Sequence, residues 1–492
     1  MSYFKPYSVY IFILLVWFLS TCAQKTDKNN ITQNTDSTQI EELQIPDPID
    51  FDLDRIIERG SIKALMDNTS ATYFLYKGEP MGFEYELADR FAKFLGVDLE
   101  VEIVKDFEEI LIKLNNGDGD IICHNLTITR DRKKFVNFSN YQYLVRQVLV
   151  QRKPEGWENL KAHELENSLI RNQVDLIGRK VHVRKNSSFA ARLRNLSDEL
   201  GGNIIIEEQL GDIDTESIIK MVVDNEIEFT IADEDIALLN ATYYPDLDVK
   251  TPVSFPQQIA WACRLNAPAL LDTVNLWLGK IKATPDHNYI YQKYFLASKE
   301  YLQRANSDYS SIAGGKISPY DDLIRKYAGK YDKDWRMLAA IIFQESRFDP
   351  KAISWAGAVG LMQIMPRTGR EYGVINLTNP EQNLIAGTSH LYWLYDYWKK
   401  EITNEDELIK FTLGSYNVGQ NHIRDAMKLA EKYGRDPKKW DDNVAYYLQL
   451  KSKPKYYKDP VVNFGYCRGE EPVNYVNHIH YHYNQYKLFI DR

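Results

Sequence analysis

The stretch Ile342-Phe-Gln-Glu-Ser-Arg-Phe-Asp-Pro350 places Glu345 and Ser346 at the end of an apolar helical pattern. Trp335, Leu338, Ala339, Ile342 and Ser346 recur at helical spacing, which puts Glu345 at the edge of the apolar stripe. A carboxyl in that position is partly desolvated, and desolvation raises its pKa toward the range of a general acid at neutral pH. An ordinary helix-surface acid is the alternative for Glu345 taken alone. Ser346 lacks a nearby His–Asp pair in sequence, so a hydrogen bond suits it better than nucleophilic attack. Asp349 is the weaker candidate for a second acid, and Asp349-Pro350 is expected to end the helix. Downstream, Ser354-Trp-Ala-Gly-Ala-Val-Gly-Leu-Met-Gln-Ile-Met-Pro366 sets the polar Gln363 in an apolar run. A buried amide needs partners, either backbone or ligand. Gly357 and Gly360 permit tight turns there. Leu413-Gly-Ser-Tyr-Asn-Val-Gly419 reads as a second polar-aromatic patch, lying between helices.

These residues need a scaffold, and the 492-residue chain is long enough for two or three domains. From about Phe51 to Ala297 short apolar strands alternate with helices. Ser61–Met66, Leu99–Val104 and Ile121–Cys123 read as strands. Phe83–Leu95 reads as an amphipathic helix with Leu87, Phe91, Phe94 and Leu95 as its stripe and Gly96 as its stop. A second set starts near Leu169, with a helix at Ile218–Val223 and a strand at Phe229–Ala232. This rhythm predicts a two-lobed, mostly parallel α/β domain over residues 51–300. Residues 301–317, rich in Ser, Asn, Asp and Gly, read as a linker. Residues 318–492 then read as a mainly α domain, with helices at Tyr320–Tyr327, Trp335–Ser346, Pro380–Trp398, Glu405–Tyr416, Ile423–Tyr433 and Val473–Tyr486.

Lys5 precedes an apolar run from Val9 to Leu19, too short to span a bilayer comfortably and shaped like a signal peptide. Leu19-Ser-Thr-Cys22 resembles a bacterial lipoprotein box. That resemblance implies a signal peptide at residues 1–21 and lipidation of Cys22, with Ala23 implying sorting to the outer membrane. Polar residues 22–50 would form the tether. Cys123, Cys263 and Cys467 are expected as buried free thiols, with one disulfide as the alternative. His478, His480 and His482 would share a face only on a strand, and their surroundings look helical, so no metal site is expected. The formal charge of -9 and pI near 5.6 disfavour a general nucleic-acid binder.

Two resemblances sharpen this reading. Gly78-Glu-Pro-Met-Gly-Phe-Glu-Tyr-Glu-Leu-Ala88, Asn125-Leu-Thr-Ile-Thr-Arg-Asp-Arg-Lys-Lys134 and Phe138-Ser139 resemble motifs of the periplasmic solute-binding domains of amino-acid type. On that match Arg132 would bind a ligand carboxylate and Asp233 a ligand amine, although Glu234 replaces the family's small residue. The ligand would be a muropeptide or amino-acid-like molecule. In the second half, Glu345-Ser346, Gly360-Leu361-Met362-Gln363 and Ser415-Tyr416-Asn417 resemble, in order, the motifs of family 1 lytic transglycosylases, whose fold is lysozyme-like. Phe464–Ile479 resembles their C-terminal signature, with Tyr475 as its tyrosine. The resemblance implies cleavage of peptidoglycan glycan strands by a single catalytic glutamate, Glu345, without a cofactor. It also implies sugar or acetamido contacts from Gln363 and Asn417, an apolar wall from Met362, a subsite or structural bond from Ser346, and orienting roles for Tyr416 and Tyr475.

Overall fold

Asp334 and Gly96 illustrate how local chemistry sets the elements. Asp334 caps the Trp335–Ser346 helix by accepting from Arg336 N at 3.0 Å. Gly96 ends the Phe83–Leu95 helix in the left-handed region, at φ 74°. The protein is described by a computed structural model covering residues 45–104, 106–209, 213–296 and 303–490. Cys22, the signal peptide and most of the tether lie outside the described residues, as does part of the linker.

The α/β half contains β1 (Ser61–Met66), β2 (Phe74–Tyr76), β3 (Glu79–Met81), β4 (Asp98–Ile103), β5 (Ile121–Ile122), β6 (Val136–Phe138) and β7 (Tyr143–Val145). It continues with β8 (Gln147–Arg152), β9 (Lys180–Arg184), β10 (Ile205–Gln209), β11 (Phe229–Asp233), β12 (Leu247–Pro252), β13 (Gln257–Ile259) and β14 (Ala262–Arg264). One sheet has the order β4-β1-β5-β14-β6 and the other β10-β9-β11-β8-β12. Each sheet is the centre of one lobe. The chain leaves the first lobe between β7 and β8, and returns between β12 and β13, which itself pairs antiparallel with β7.

The expectation of a mostly parallel sheet needs correction. β1 pairs parallel with β4 and β5, but β14 runs antiparallel to β5 and β6. In the second lobe β8 runs antiparallel to β11 and β12. The crossing segments enter each sheet against the βαβ direction, and their short apolar runs carry no mark of direction. The second lobe accordingly starts at β8, ahead of Leu169. Phe94 is 41% exposed, so the buried stripe of its helix runs through Phe83, Leu87, Phe91 and Ala92 instead.

Two segments expected to be loose are docked. Ile49 N donates to Asn115 O at 2.9 Å and Asn115 Nδ2 to Pro46 O at 2.8 Å, which seats residues 45–50 on the first lobe. Tyr309, Ser310 and Ser311 lie along the β2–β3 hairpin: Lys77 N donates to Tyr309 O at 2.9 Å and Leu75 N to Ser311 Oγ at 2.9 Å. Polar composition suggested a free linker there, yet its hydroxyls and carbonyls satisfy an open strand edge.

The helical half has long helices at Trp335–Ser346, Pro380–Lys399, Glu405–Val418, Gln420–Lys432 and Glu470–Phe489. The Leu413–Gly419 patch is therefore the last turn of a helix, not an inter-helix loop. The C-terminal helix also joins the two halves. Tyr486 Oη donates to Gly78 O at 3.1 Å, Tyr73 Oη donates to Gln485 Oε1, and the Tyr85 and Tyr481 hydroxyls share a hydrogen bond. Gly78 has no room for a side chain, because a Cβ would lie 2.5 Å from Tyr486 Oη and 3.2 Å from Phe343.

Candidate active site and ligand cleft

Glu345 stands on the last turn of its helix. The helix stops at Ser346 because Arg347 and Phe348 turn left-handed, at φ 50° and 63°, three residues before Pro350. The carboxyl is partly exposed to a groove but surrounded by protein. Burial pushes its pKa from 4.5 to about 7, opposed by one hydrogen bond from Tyr475 Oη at 2.5 Å. Tyr475 is itself buried, and burial together with Glu345 raises its pKa well above the tyrosine range, so it remains a donor. The result is a carboxyl poised between acid and base with one neutral partner.

A groove cavity of about 530 Å³ opens beside it, lined by Gln344, Glu345, Asn417, Arg468, Glu470, Glu471, Asn474, Tyr475 and His478. The motif residues divide into two kinds. Asn417 and Tyr475 line the cavity with Glu345. Ser346, Met362, Gln363 and Tyr416 hold the walls together. Ser346 Oγ donates to Leu361 O at 2.8 Å, tying the helix to the glycine loop. Tyr416 Oη donates to Met362 O at 2.8 Å. Gln363 sits at φ 48° and spends its amide on Ala352 O and Gly360 O, at 3.1 and 2.9 Å, leaving only its carbonyl for a sugar. Met362 has no exposed surface and packs on Gly387, so it is core here and not an apolar wall. Asp349 is exposed and its carboxylate accepts from Lys351 N at 2.8 Å, away from the groove.

Asn383 was not visible as a site residue from sequence. Buried in the Pro380–Lys399 helix, it accepts from Met362 N at 2.8 Å and donates to Val359 O and Leu377 O at 2.8 and 2.9 Å. A Cβ on Gly360 would come within 2.3 Å of its amide nitrogen, which explains the glycine. Arg468, Asn474 and His478 also escaped sequence reasoning. The i, i+4 spacing of Asn474 and His478 beside Tyr475 was the available signal.

Arg132 and Asp233 meet in a second cavity, of about 100 Å³, between the two lobes. Arg132 Nη1 donates to Thr127 O at 3.0 Å, and burial, aided by Arg184, lowers its pKa to about 10 despite Asp233. Burial and Asp235 raise the Asp233 carboxyl well above its usual range, while Arg132 opposes. Asp233 Oδ1 is buried, with no hydrogen-bond partner among the described residues. Burial also pushes Asp67 up, but His124 at 2.6 Å and Arg184 at 3.8 Å outweigh it and hold it near 2. Burial carries Glu216 to about 7, with Ser70 donating to it. The lobes are closed on each other: Asn186 Nδ2 reaches Glu108 Oε1 at 2.5 Å and the Thr127 and Ser188 hydroxyls lie 3.2 Å apart.

His478, His480 and His482 lie on the C-terminal helix, where His478 and His482, four residues apart, share a face and His480 lies on another, and His482 packs on Phe343. Among the described residues no group of His, Cys, Asp and Glu is arranged to hold a metal. Cys123, Cys263 and Cys467 are buried free thiols. Among the described residues no helix is long and apolar enough to cross a membrane.

Residues 322–439 match the family described as Transglycosylase SLT domain, and residues 62–297 match Bacterial extracellular solute-binding proteins, family 3. The membrane-bound lytic murein transglycosylase F of Desulfosudis oleivorans is 35% identical over 431 residues, covering 87% of this chain and 90% of that protein. Its namesake in Saccharophagus degradans is 32% identical over 428 residues, covering 87% and 82%. Among solved structures, an ancestral arginine-binding protein bound to arginine is 24% identical, with a TM-score of 0.41, and covers 48% of this chain and 99% of that one. With both domains matched in order and most of each chain aligned, this protein belongs to the membrane-bound lytic murein transglycosylase F family, a solute-binding-type domain fused to a lytic transglycosylase domain.

Proposed function

We propose that the chain is a peptidoglycan lyase that cleaves the β-1,4 bond between N-acetylmuramic acid and N-acetylglucosamine and leaves 1,6-anhydro-muramyl ends. The observation that carries this reading is Glu345, a groove carboxyl largely enclosed by protein, with its pKa near 7 and one neutral donor, Tyr475. Protonated Glu345 gives its proton to the glycosidic oxygen as the C1–O bond breaks. The resulting carboxylate takes the proton of the muramyl C6 hydroxyl, whose oxygen bonds to C1. The glutamate ends protonated, and no water is consumed. Hydrolysis by a partnered acid is less well supported, because Asp349 is turned to its own loop and Glu470 and Glu471 sit at solvent-exposed positions. Asn417 would contact the sugar or its acetamido group. Mass analysis of digested sacculi tests the reading, since anhydro and reducing ends differ by one water. Reducing ends alone would replace the lyase with a hydrolase.

The two-lobed domain binds a muropeptide or amino-acid-like ligand in this proposal, with Arg132 taking a carboxylate and Asp233 an amine. The partnerless Asp233 Oδ1 supports a donor arriving from a ligand. A muropeptide exceeds a cavity of about 100 Å³, so the lobes would part to admit it. The β2–β3 hairpin follows directly on the cleft residues Ala71 and Thr72 and rests on the C-terminal helix that carries Tyr475. Lobe movement would reach Glu345 by that path, and a ligand that prefers one state would alter turnover. Turnover of the full chain with and without muropeptide checks this; unchanged turnover leaves the domain as a localisation module.

The anchor is the remaining part of the proposal: lipidated Cys22 on the periplasmic face of the outer membrane. Cys22→Ser should move the protein from the membrane to the soluble fraction, and unchanged fractionation would remove the lipoprotein box.

A further inference from the structure

Arg468 has no assigned role, and its surroundings give it one. It lines the cavity that holds Glu345, its side chain is exposed, and among the described residues no carboxylate pairs with it. Glu470 and Glu471 line the same cavity but form no ion pair with it. The backbone that presents it is rigid. Buried Lys451 and Asp425 pair at 2.8 Å, and the same Asp425 carboxylate accepts from Asn463 N at 2.9 Å and Phe464 N at 2.8 Å. Cys467 is buried. Gly469 presses so close to Leu448 that a Cβ would lie 1.6 Å from its carbonyl oxygen. Glu471 N then donates to Arg468 O at 3.2 Å as the C-terminal helix begins. A buried ion pair and a close-packed glycine thus hold the backbone that carries a solvent-facing cation in the lining of the cavity that also contains Tyr475.

Such a mount fixes the backbone from which the guanidinium reaches the groove, and the planar fork of that group matches a carboxylate. The sugar rings of the strand are neutral. Its carboxylates hang from O3 of the muramyl residue, either as the lactyl acid itself or further out on an attached peptide. We infer that Arg468 is a specificity-determining residue that binds a carboxylate carried on the O3 substituent of a muramyl residue beside the scissile bond. This rests on the glycan-cleaving reading above and adds to it which strands are preferred.

The test uses the full chain with Glu345→Gln, so that strands are bound and not cut. Three strand preparations are compared: peptide-bearing, peptide-stripped with lactyl acids intact, and peptide-bearing with all carboxylates amidated. Adding Arg468→Ala should weaken binding about tenfold on carboxylate-bearing strands, the size of one charge-assisted contact, and leave amidated strands unaffected. Arg468→Lys should restore part of the loss. A loss on stripped strands alone assigns the lactyl carboxylate, a loss on peptide-bearing strands alone assigns a peptide carboxylate, and a loss on both shows that Arg468 takes either. Equal losses on acidic and amidated strands, or none on any, would overturn the inference. Anhydro ends made by the parent enzyme separate the outcomes: if they form while Arg468→Ala binds normally, this inference fails and the lyase reading stands.

Discussion

The groove at Glu345 and the cleft at Arg132 both bury carboxyls, and they differ in the charged groups set beside them. Glu345 meets one neutral hydroxyl, so burial goes largely uncompensated and its proton is exchangeable near neutrality. In the cleft His124 and Arg184 hold Asp67 at about 2, while burial lifts Glu216 to about 7 and burial with Asp235 lifts Asp233 well above its usual range against the pull of Arg132. A site that moves a proton keeps countercharge away. A site that sorts charged ligands gathers both signs. The two sites are joined by one helix, Glu470–Phe489, which touches Glu345 through Tyr475 and the α/β half through Tyr481, Gln485 and Tyr486.

The largest effect should come from Glu345→Gln, which removes the exchangeable proton. Release of anhydro-muropeptides should fall on the order of 100-fold or more, read by mass spectrometry of sacculi. Retained activity would break the comparison at its root. Arg132→Ala comes next. Loss of a charge-assisted contact to a carboxylate should weaken muropeptide binding about tenfold or more by calorimetry. An unchanged affinity would mean that the cleft does not gather ligand charge through this residue.

Tyr475→Phe sharpens the electrostatics. The tyrosine hydrogen bond lowers the Glu345 pKa, so removing it should shift the alkaline limb of the pH–activity profile upward, with turnover falling about tenfold as the carboxyl loses its orientation. A limb that stays in place would assign it to another group. The stability profile gives a subtler check. Glu345 has a folded pKa near 7 against 4.5 unfolded, so its contribution is full below 4.5 and is lost as pH rises through 7. Glu345→Gln should therefore gain melting temperature over the parent as pH rises across that window, and no gain below it. Smallest is Tyr486→Phe, which deletes the bond to Gly78 O. It should cost about 1 kcal/mol in denaturant unfolding, and no more if the helix is held mainly by its packing.

The site was legible to different depths. Glu345 and its neighbours stand out in sequence because charge and amide groups interrupt apolar runs at fixed spacing. The same signal does not say which of them face the groove. Met362 and Gln363 occur together in one motif, yet Met362 is core and Gln363 has turned its amide to the backbone. Asn383 gives no signal, since an asparagine in a helix looks alike whether it meets water or a loop from 21 residues away.

By itself the sequence determined the two-domain order, the helix that carries Glu345, the glycine stop at Gly96 and the family motifs. All of these follow from interactions among residues near in the chain: period, caps and turn geometry. Only the tertiary structure decided the antiparallel entry of β8 and β14, the docking of residues 45–50 and 309–311, and the union of both halves on the C-terminal helix. These depend on which distant surfaces meet. Burial itself, and so the proton affinity of Glu345, is a property of the packed surroundings, and no local pattern of residues encodes it.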